Sequence, residues 1–199
     1  RASAVLRTPL PSAGSAPGGE VPKNVLKAAT DGRVGPVRLW LNEGGKADTL
    51  FNAESQYGQA PCTLLIFSAK AGHAQIVELL LKRGADINLQ NGRANTALNT
   101  AAYYGHERVV DVLLQHGAEI DSQDLAWPAL TAAAQGGQER VVDLLLRRGA
   151  EIDLQNKNGG TALMLAAVCN HPAVVLRLLR AGADMTLREA TGKTALQWA

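Results

Sequence analysis

Gly149-Ala150-Glu151-Ile152-Asp153 is written into this chain in three further versions: Gly84-Ala85-Asp86-Ile87-Asn88, Gly117-Ala118-Glu119-Ile120-Asp121 and Gly182-Ala183-Asp184-Met185-Thr186. The four leading glycines recur at a nearly constant interval, and each follows a Val-Val or Ile-Val pair and a leucine-rich run. A fixed period of that length, about 33 residues, marks a stacked array of small units. Packing makes the same demand on every copy, so function has to be sought where the copies differ.

Outward from each glycine the same frame recurs. Thr96-Ala97-Leu98, Ala101-Ala102, Gly105-His106, Val109-Val110 and Leu113-Leu114 lead to Gly117. Ala129-Leu130, Ala133-Ala134, Gly137, Val141-Val142 and Leu145-Leu146 lead to Gly149, and Thr161-Ala162-Leu163, Ala166-Ala167, Val174-Val175 and Leu178-Leu179 lead to Gly182. Upstream, Thr63-Leu64-Leu65, Gly72-His73, Ile76-Val77 and Leu80-Leu81 take the same places. Apolar residues spaced i, i+3, i+4 around Leu98, Ala101 and Ala102 predict one short helix, and Val109, Val110, Leu113 and Leu114 predict a second. Gly105 between them reads as a helix stop, because a residue without Cβ takes positive φ at little cost. Threonine at the head of most units reads as an N-cap whose oxygen accepts an orphan backbone N–H. The polar stretches 88–95 and 117–128 read as turns or hairpins linking one helix pair to the next.

This frame resembles the ankyrin repeat, whose consensus runs T-P-L-H-x-A-A-x-x-G-H, then V-V-x-L-L-L and G-A-D. The likeness covers about residues 23–199 and implies an all-α solenoid of stacked helix pairs joined by β-hairpin-like loops. The chain departs from the consensus at two places. The proline after the threonine is replaced by Leu64, Ala97, Ala129, Ala162 and Ala195, and the histidine by Ile66, Asn99, Thr131, Met164 and Gln197. The hydrogen bonds that this ring makes between repeats are therefore in question.

The expected organisation is a tail at 1–22, a cap at 23–44, an inserted loop at 45–62, full repeats at about 63–95, 96–127, 128–160 and 161–193, and a truncated repeat at 194–199. In the cap, Val25-Leu26 and Ala28-Ala29 and then Val37 and Leu39-Trp40-Leu41 fit two helices, with Pro36 in the first turn of a shortened second one. The interval from Gly44 to Gly84 exceeds the period by seven, and the surplus falls in the inserted loop, which holds Leu50, Phe51 and Tyr57. Its aromatics predict an ordered finger folded over the cap, since long loops in compact arrays are functional or disordered. Thr194 to Ala199 stops inside a first helix and position 1 is not Met, so a fragment of a longer protein is expected. Pro, Gly, Ser and Ala make up well over half of the tail, which reads as disordered. Arg1 and Arg7, with no acid before Glu20, also fit the remnant of an organelle-targeting segment.

Composition narrows the function. The chain has 199 residues, 46% of them hydrophobic but only 4% aromatic, so its core must be aliphatic. A formal net charge of +2 is too weak for a nucleic-acid footprint. No apolar run approaches the roughly 18 residues that span a membrane. Cys62 and Cys169 form no CxxC pair and read as reduced thiols, which favours an intracellular, cytoplasmic setting. His73, His106 and His171 occupy one repeat position on three different units, so packing or capping explains them better than a metal site does. His116 reads as a solvated residue at a helix C-terminus. No phosphate-binding glycine loop, H-E-x-x-H or G-x-S-x-G motif occurs. Glu107, Asp111, Glu139 and Asp143 recur beside Arg108, Arg140 and Arg147 and read as a solvated charged face. Neither a catalytic role nor a cofactor is expected.

A binding surface remains. In proteins that the frame resembles, partners contact hairpin tips and the exposed side of the first helices, which together line a concave face. By position, the tips hold Gly92, Arg93 and Asn95, then Asp124, Leu125 and Trp127, then Lys157, Asn158 and Gly160. The first helices present Lys70 and Ala71, Tyr103 and Tyr104, Gln135 and Gly136, and Val168 and Cys169. Tyr103, Tyr104 and Trp127 are the one neighbourhood of large amphipathic side chains and suit hot-spot anchors; the competing reading is that one tyrosine packs on its neighbour's helix. Lys70, Arg93, Asn95, Leu125, Gln135, Lys157 and Asn158 would surround them. The expectation is a monomeric protein-binding scaffold, with a docking domain of a larger enzyme and a ligand-free spacer as rivals. The resemblance also implies that Asn88 matches a position hydroxylated in some repeats of this type; a plain hairpin residue is the simpler reading. Pro128 stands where threonine caps the sister helices, so the helix after it should lack that cap.

Overall fold

Each period becomes two short helices in the computed structural model, which describes residues 20–55, 58–122 and 127–198. Most of the predicted tail, and Tyr57 of the inserted loop, lie outside the described residues. The pairs are α1 (Lys23–Thr30) with α2 (Val34–Asn42), α3 (Leu64–Lys70) with α4 (Ala74–Lys82), α5 (Ala97–Tyr104) with α6 (Glu107–Gln115), α7 (Ala129–Gln135) with α8 (Glu139–Arg147), and α9 (Ala162–Val168) with α10 (Pro172–Arg180). A short α11 (Ala195–Trp198) follows. Between α2 and α3 runs the only strand pair among the described residues, β1 (Phe51–Ser55) against β2 (Gly58–Cys62), antiparallel with Phe51 opposite Cys62 and Ser55 opposite Gly58. The predicted helical solenoid is what the chain forms.

Local chemistry starts and stops each helix. Thr63, Thr96 and Thr161 accept the backbone N–H of Ile66, Asn99 and Met164 through their hydroxyl oxygens at 3.3, 3.4 and 3.4 Å. Pro128, at the same place before α7, makes no side-chain cap bond, and Thr131 instead donates its hydroxyl to the Pro128 carbonyl at 2.7 Å. Gly105 closes α5 at φ +77°. The predicted shortening of the second cap helix does not occur: α2 has nine residues, as α4, α6, α8 and α10 do. Pro36 is its third residue, where a backbone N–H has no intrahelical acceptor, so the ring removes nothing.

The core is aliphatic. Leu80, Leu113, Leu145 and Leu178, one from each of α4, α6, α8 and α10, are fully buried, as are Val77, Val110 and Val142 beside them. Burying each leucine contributes about 1.5–3 kcal/mol. Ala101, Ala102, Ala133 and Ala134 are equally buried, and their small side chains let the first helices approach closely. The first helices touch one another more extensively than the second helices do, so successive units approach most closely along the first helices.

Side chains stitch unit to unit at two levels. Asp48, Asn88, Asp121 and Asp153 accept the backbone N–H of Asp86, Glu119, Glu151 and Asp184 at 2.9, 3.1, 3.0 and 2.9 Å, each bond reaching into the next unit. Asn88 thus does the same job as three aspartates. Asp111, Glu139 and Asp143 on the second helices are paired across units by residues the sequence reading did not name. Arg148 binds Asp111, and Arg177 binds both Asp143 and Glu139, the latter at 2.8 Å. The expected solvated face holds, with Glu107, Arg108, Arg140 and Arg147 exposed, and a cross-repeat ion-pair row runs along it, visible only once the second helices of successive units are stacked. The paired groups are about a third exposed, so each pair contributes only about 0–1 kcal/mol.

Ser68 is a defect in this packing. Its hydroxyl is fully buried and has no hydrogen-bond partner, while the sister positions hold Ala101, Ala133 and Ala166. Ser68→Ala is expected to raise stability by about 1 kcal/mol, because an unsatisfied buried polar group is removed without loss of shape. A lower urea midpoint for the variant would show that the hydroxyl is satisfied after all.

Candidate functional site

The exposed ends of the first helices build the site. Lys70 ends α3, Tyr103 and Tyr104 end α5, and Gln135 ends α7. Tyr103 and Tyr104 are 41% and 45% exposed, in a chain whose aromatics are few. Their rings meet edge to face, with centroids 5.1 Å apart and planes at 83°. Tyr104 stacks on His106 at 6.3 Å and 17°, and the Lys70 ammonium lies 5.6 Å from the Tyr104 ring centre. His106 Nε2 bonds the Lys70 carbonyl at 2.9 Å. Lys70, Tyr104 and His106 thus brace one another across two units. A cation over an exposed ring contributes about 0.5–1 kcal/mol and an aromatic pair about as much.

The main chain beneath these rings is held as well. The Tyr103 carbonyl accepts from Gln138 Nε2 at 3.1 Å, and a methyl on Gly136 would sit 2.2 Å from that oxygen, so α7 approaches α5 here as only glycine permits. Trp127 is half-buried and packs against the core. Its carbonyl accepts from Asn99 Nδ2 at 3.0 Å, while Asn99 Oδ1 accepts the Thr96 N–H at 3.0 Å. Asn99 therefore supplies both a capping box and a bond to the main chain just ahead of α7 from the consensus histidine's place. Ile66 and Met164 are buried apolar side chains there, and Thr131 is turned onto Pro128.

Asn99→Ala leaves the Thr96 N–H and the Trp127 carbonyl without these bonds. A loss of about 2 kcal/mol is expected, with a change in Trp127 fluorescence read against the unaltered signal of a Ser68→Ala control. An unchanged unfolding midpoint would remove Asn99 as the support of Trp127.

The remaining expected site residues are spread over the units. Lys157 and Asn158 are exposed at the turn before α9, where the Asn158 N–H is held by Asn156 Oδ1 at 2.9 Å. Arg93 and Asn95 are half-buried, and both donate their backbone N–H to Asn91 Oδ1, at 2.9 and 3.0 Å. Gln135 is half-buried and its carbonyl accepts from His171 Nε2 at 3.0 Å. Leu125, with Asp124, lies outside the described residues. Only Lys70, Tyr103 and Tyr104 are brought into one cluster by these contacts, with Trp127 tied to the same helix through Asn99. The supports His106, Gln138, Gly136 and Asn99 were not among the expected site residues. Their signal is positional: His106, Gln138 and Gly136 each sit in the unit next to the residue they brace, about one period away, and Asn99 sits in the consensus histidine's place.

The histidines bind carbonyls. His73 Nε2 bonds the Thr30 carbonyl at 2.7 Å, as His106 and His171 bond theirs, and Gln138 takes the ring's place before α8. His116 is exposed at the C-cap of α6, its Nδ1 bonded to the Val112 carbonyl at 2.9 Å. Burial pushes the Cys62 thiol up to about 11, so it stays protonated. Among the described residues no group of three or more His, Cys, Asp or Glu is placed to hold a metal ion. No described helix is long and apolar enough to cross a membrane. What the cluster offers is a braced, amphipathic contact surface.

A family model described as ankyrin repeats (3 copies) matches residues 26–124 and again 127–199. No curated protein matches the chain.

Proposed function

The chain belongs to the ankyrin-repeat family, whose repeats are protein–protein interaction modules, and we propose that it is a non-catalytic, monomeric scaffold that grips a protein partner on its concave face. The observation that carries this reading is the Lys70–Tyr104–His106 brace, with the Tyr103 ring packed edge to face on Tyr104. Tyrosine and tryptophan bury large area and keep a polar group for a partner. Because the rings are already supported, less side-chain freedom is lost on binding. Arg93, Asn95, Gln135, Lys157, Asn158 and Leu125 belong to the rim in this reading. The two free thiols, Cys62 buried and Cys169 half-buried, suit a reducing compartment such as the cytoplasm.

The test compares two faces of one protein. Alanine at Tyr103, Tyr104 and Trp127 should abolish capture of partners from cell extract, while changing Glu107, Arg108 and Arg140, all outside the cross-repeat ion pairs, should leave capture intact. The reverse result would move the interface to the convex side.

A further inference from the structure

The finger before α3 is a ribbon with one edge joined to the next unit and one edge that no other strand among the described residues pairs with. Neighbouring hairpin regions are joined by main-chain bonds: the Gly92 N–H donates to the Pro61 carbonyl at 3.0 Å, and the Ala190 N–H to the Asn158 carbonyl at 3.0 Å. Pro61 lies in β2, so the C-terminal edge of the ribbon is taken by the next unit. Pro61 has no N–H and its carbonyl points at Gly92, which makes Asn52 opposite Pro61 a pair that exchanges no bond across the ribbon. Alternation along an antiparallel pair then assigns the rest. Phe51, Ala53 and Ser55 bond inward to Cys62, Ala60 and Gly58, and the N–H and C=O of Asn52 and Glu54 point away from β2.

The sheet has two strands, so these outward groups lie at its edge, and the described residues ahead of α1, 20–22, form no hairpin to cover them. An edge of alternating donors and acceptors is completed by an extended main chain. We infer that the outer edge of β1, at Asn52 and Glu54, is a second docking site, which takes an extended segment of a partner protein by strand addition. The site continues the row of main-chain bonds that already joins hairpin to hairpin, and it uses the insertion that sets this unit apart in length. On one face of the ribbon Phe51 packs edge-on against Phe67 with centroids 5.5 Å apart, so the added strand places an apolar side chain there. Exposed Asn52 is on the other face and meets a polar one. A second copy of the chain is the weaker occupant: two short strands, each about 17 Å long, pair over a ribbon, well short of the roughly 1,200 Å² of a stable interface.

Proline distinguishes the two edges. Asn52→Pro or Glu54→Pro removes an outward N–H and leaves the inward bonds of β1, whereas Ala53→Pro breaks the ribbon itself. Random dodecapeptides displayed on phage and selected on the wild-type protein are the probe. A class of peptides is expected that binds Tyr103→Ala/Tyr104→Ala protein as well as wild type, yet binds Asn52→Pro and Glu54→Pro on the order of tenfold more weakly. In the wild-type complex with such a peptide, amide exchange at Asn52 and Glu54 should slow, a readout that stands even where a proline variant loses the ribbon. Absence of any peptide with this dependence, or unchanged exchange at both amides, overturns the inference. A wild-type dimer that Asn52→Pro converts to monomer in sedimentation also overturns it, in favour of pairing between copies.

Discussion

Gly136→Ala is expected to lower the stability of the array by about 3 kcal/mol or more, an unusually large effect for one methyl group. The added Cβ would lie 2.2 Å from the Tyr103 carbonyl oxygen and 3.1 Å from its carbon. Backbone cannot swing aside as a flexible side chain can, so α7 must shift away from α5 or the pair must open. Overpacking of this kind costs about 1–3 kcal/mol and sometimes more. Gly136 has φ −79°, so the effect is steric and carries no backbone-strain component. Gly35→Ala is the matched comparison. Nothing lies within 4 Å of a Cβ there, and the residue is in α2, where alanine is favoured over glycine by up to about 1 kcal/mol. Urea unfolding of the two variants should therefore move in opposite directions. If Gly136→Ala unfolds at the wild-type midpoint, the approach of α7 to Tyr103 is not what sets the spacing of these units. Because the Tyr103 main chain is part of the contact, partner binding should weaken along with stability.

The second large effect is on binding. In the proposed concave interface, replacing Tyr103, Tyr104 and Trp127 together should abolish capture, since truncating a central aromatic typically costs about 2 kcal/mol or more. The three are not equivalent. Tyr103 and Tyr104 are exposed, so their loss should leave the melting temperature nearly unchanged and the helical circular dichroism intact. Trp127 packs on the core, so its truncation should also destabilise by about 3 kcal/mol. The double variant Tyr103→Ala/Tyr104→Ala is thus the cleaner probe. Full retention of binding by it, with a folded spectrum, would remove the aromatic anchors from the interface. Lys70→Met tests the brace separately: it removes the cation above Tyr104 and keeps most of the stem, and a several-fold weakening is expected if Tyr104 is held ready by it.

Much of the fold was legible because a repeat states it several times over. The spacing of Leu98, Ala101 and Ala102 against Val109, Val110, Leu113 and Leu114 is a helix pair by itself, and four near-copies average out local ambiguity. Thr63, Thr96 and Thr161 announced their caps, and Pro128 announced the missing one. Where the reading failed, a single residue had been weighed without its neighbours. The second cap helix was read as shortened, yet α2 has the nine residues of its sisters, with Pro36 in its first turn as expected, where it costs no hydrogen bond. Asp111, Glu139 and Asp143 were read only as part of a solvated charged face, whereas Arg148 and Arg177 reach them from the next unit.

What the sequence determined alone is the unit: its period, its two helices and the aliphatic core. These follow from periodicity and composition, which act within a single repeat. The stacked structure decided everything that crosses a unit boundary. It set His106 between Lys70 and Tyr104, Gly136 against Tyr103, Arg177 against Asp143, and Gly92 against Pro61 on one edge of the ribbon. Such contacts join residues one period apart, and whether they form depends on the rise and rotation from one unit to the next. That geometry is set by the sum of packing over the whole interface, and no single stretch of sequence encodes it.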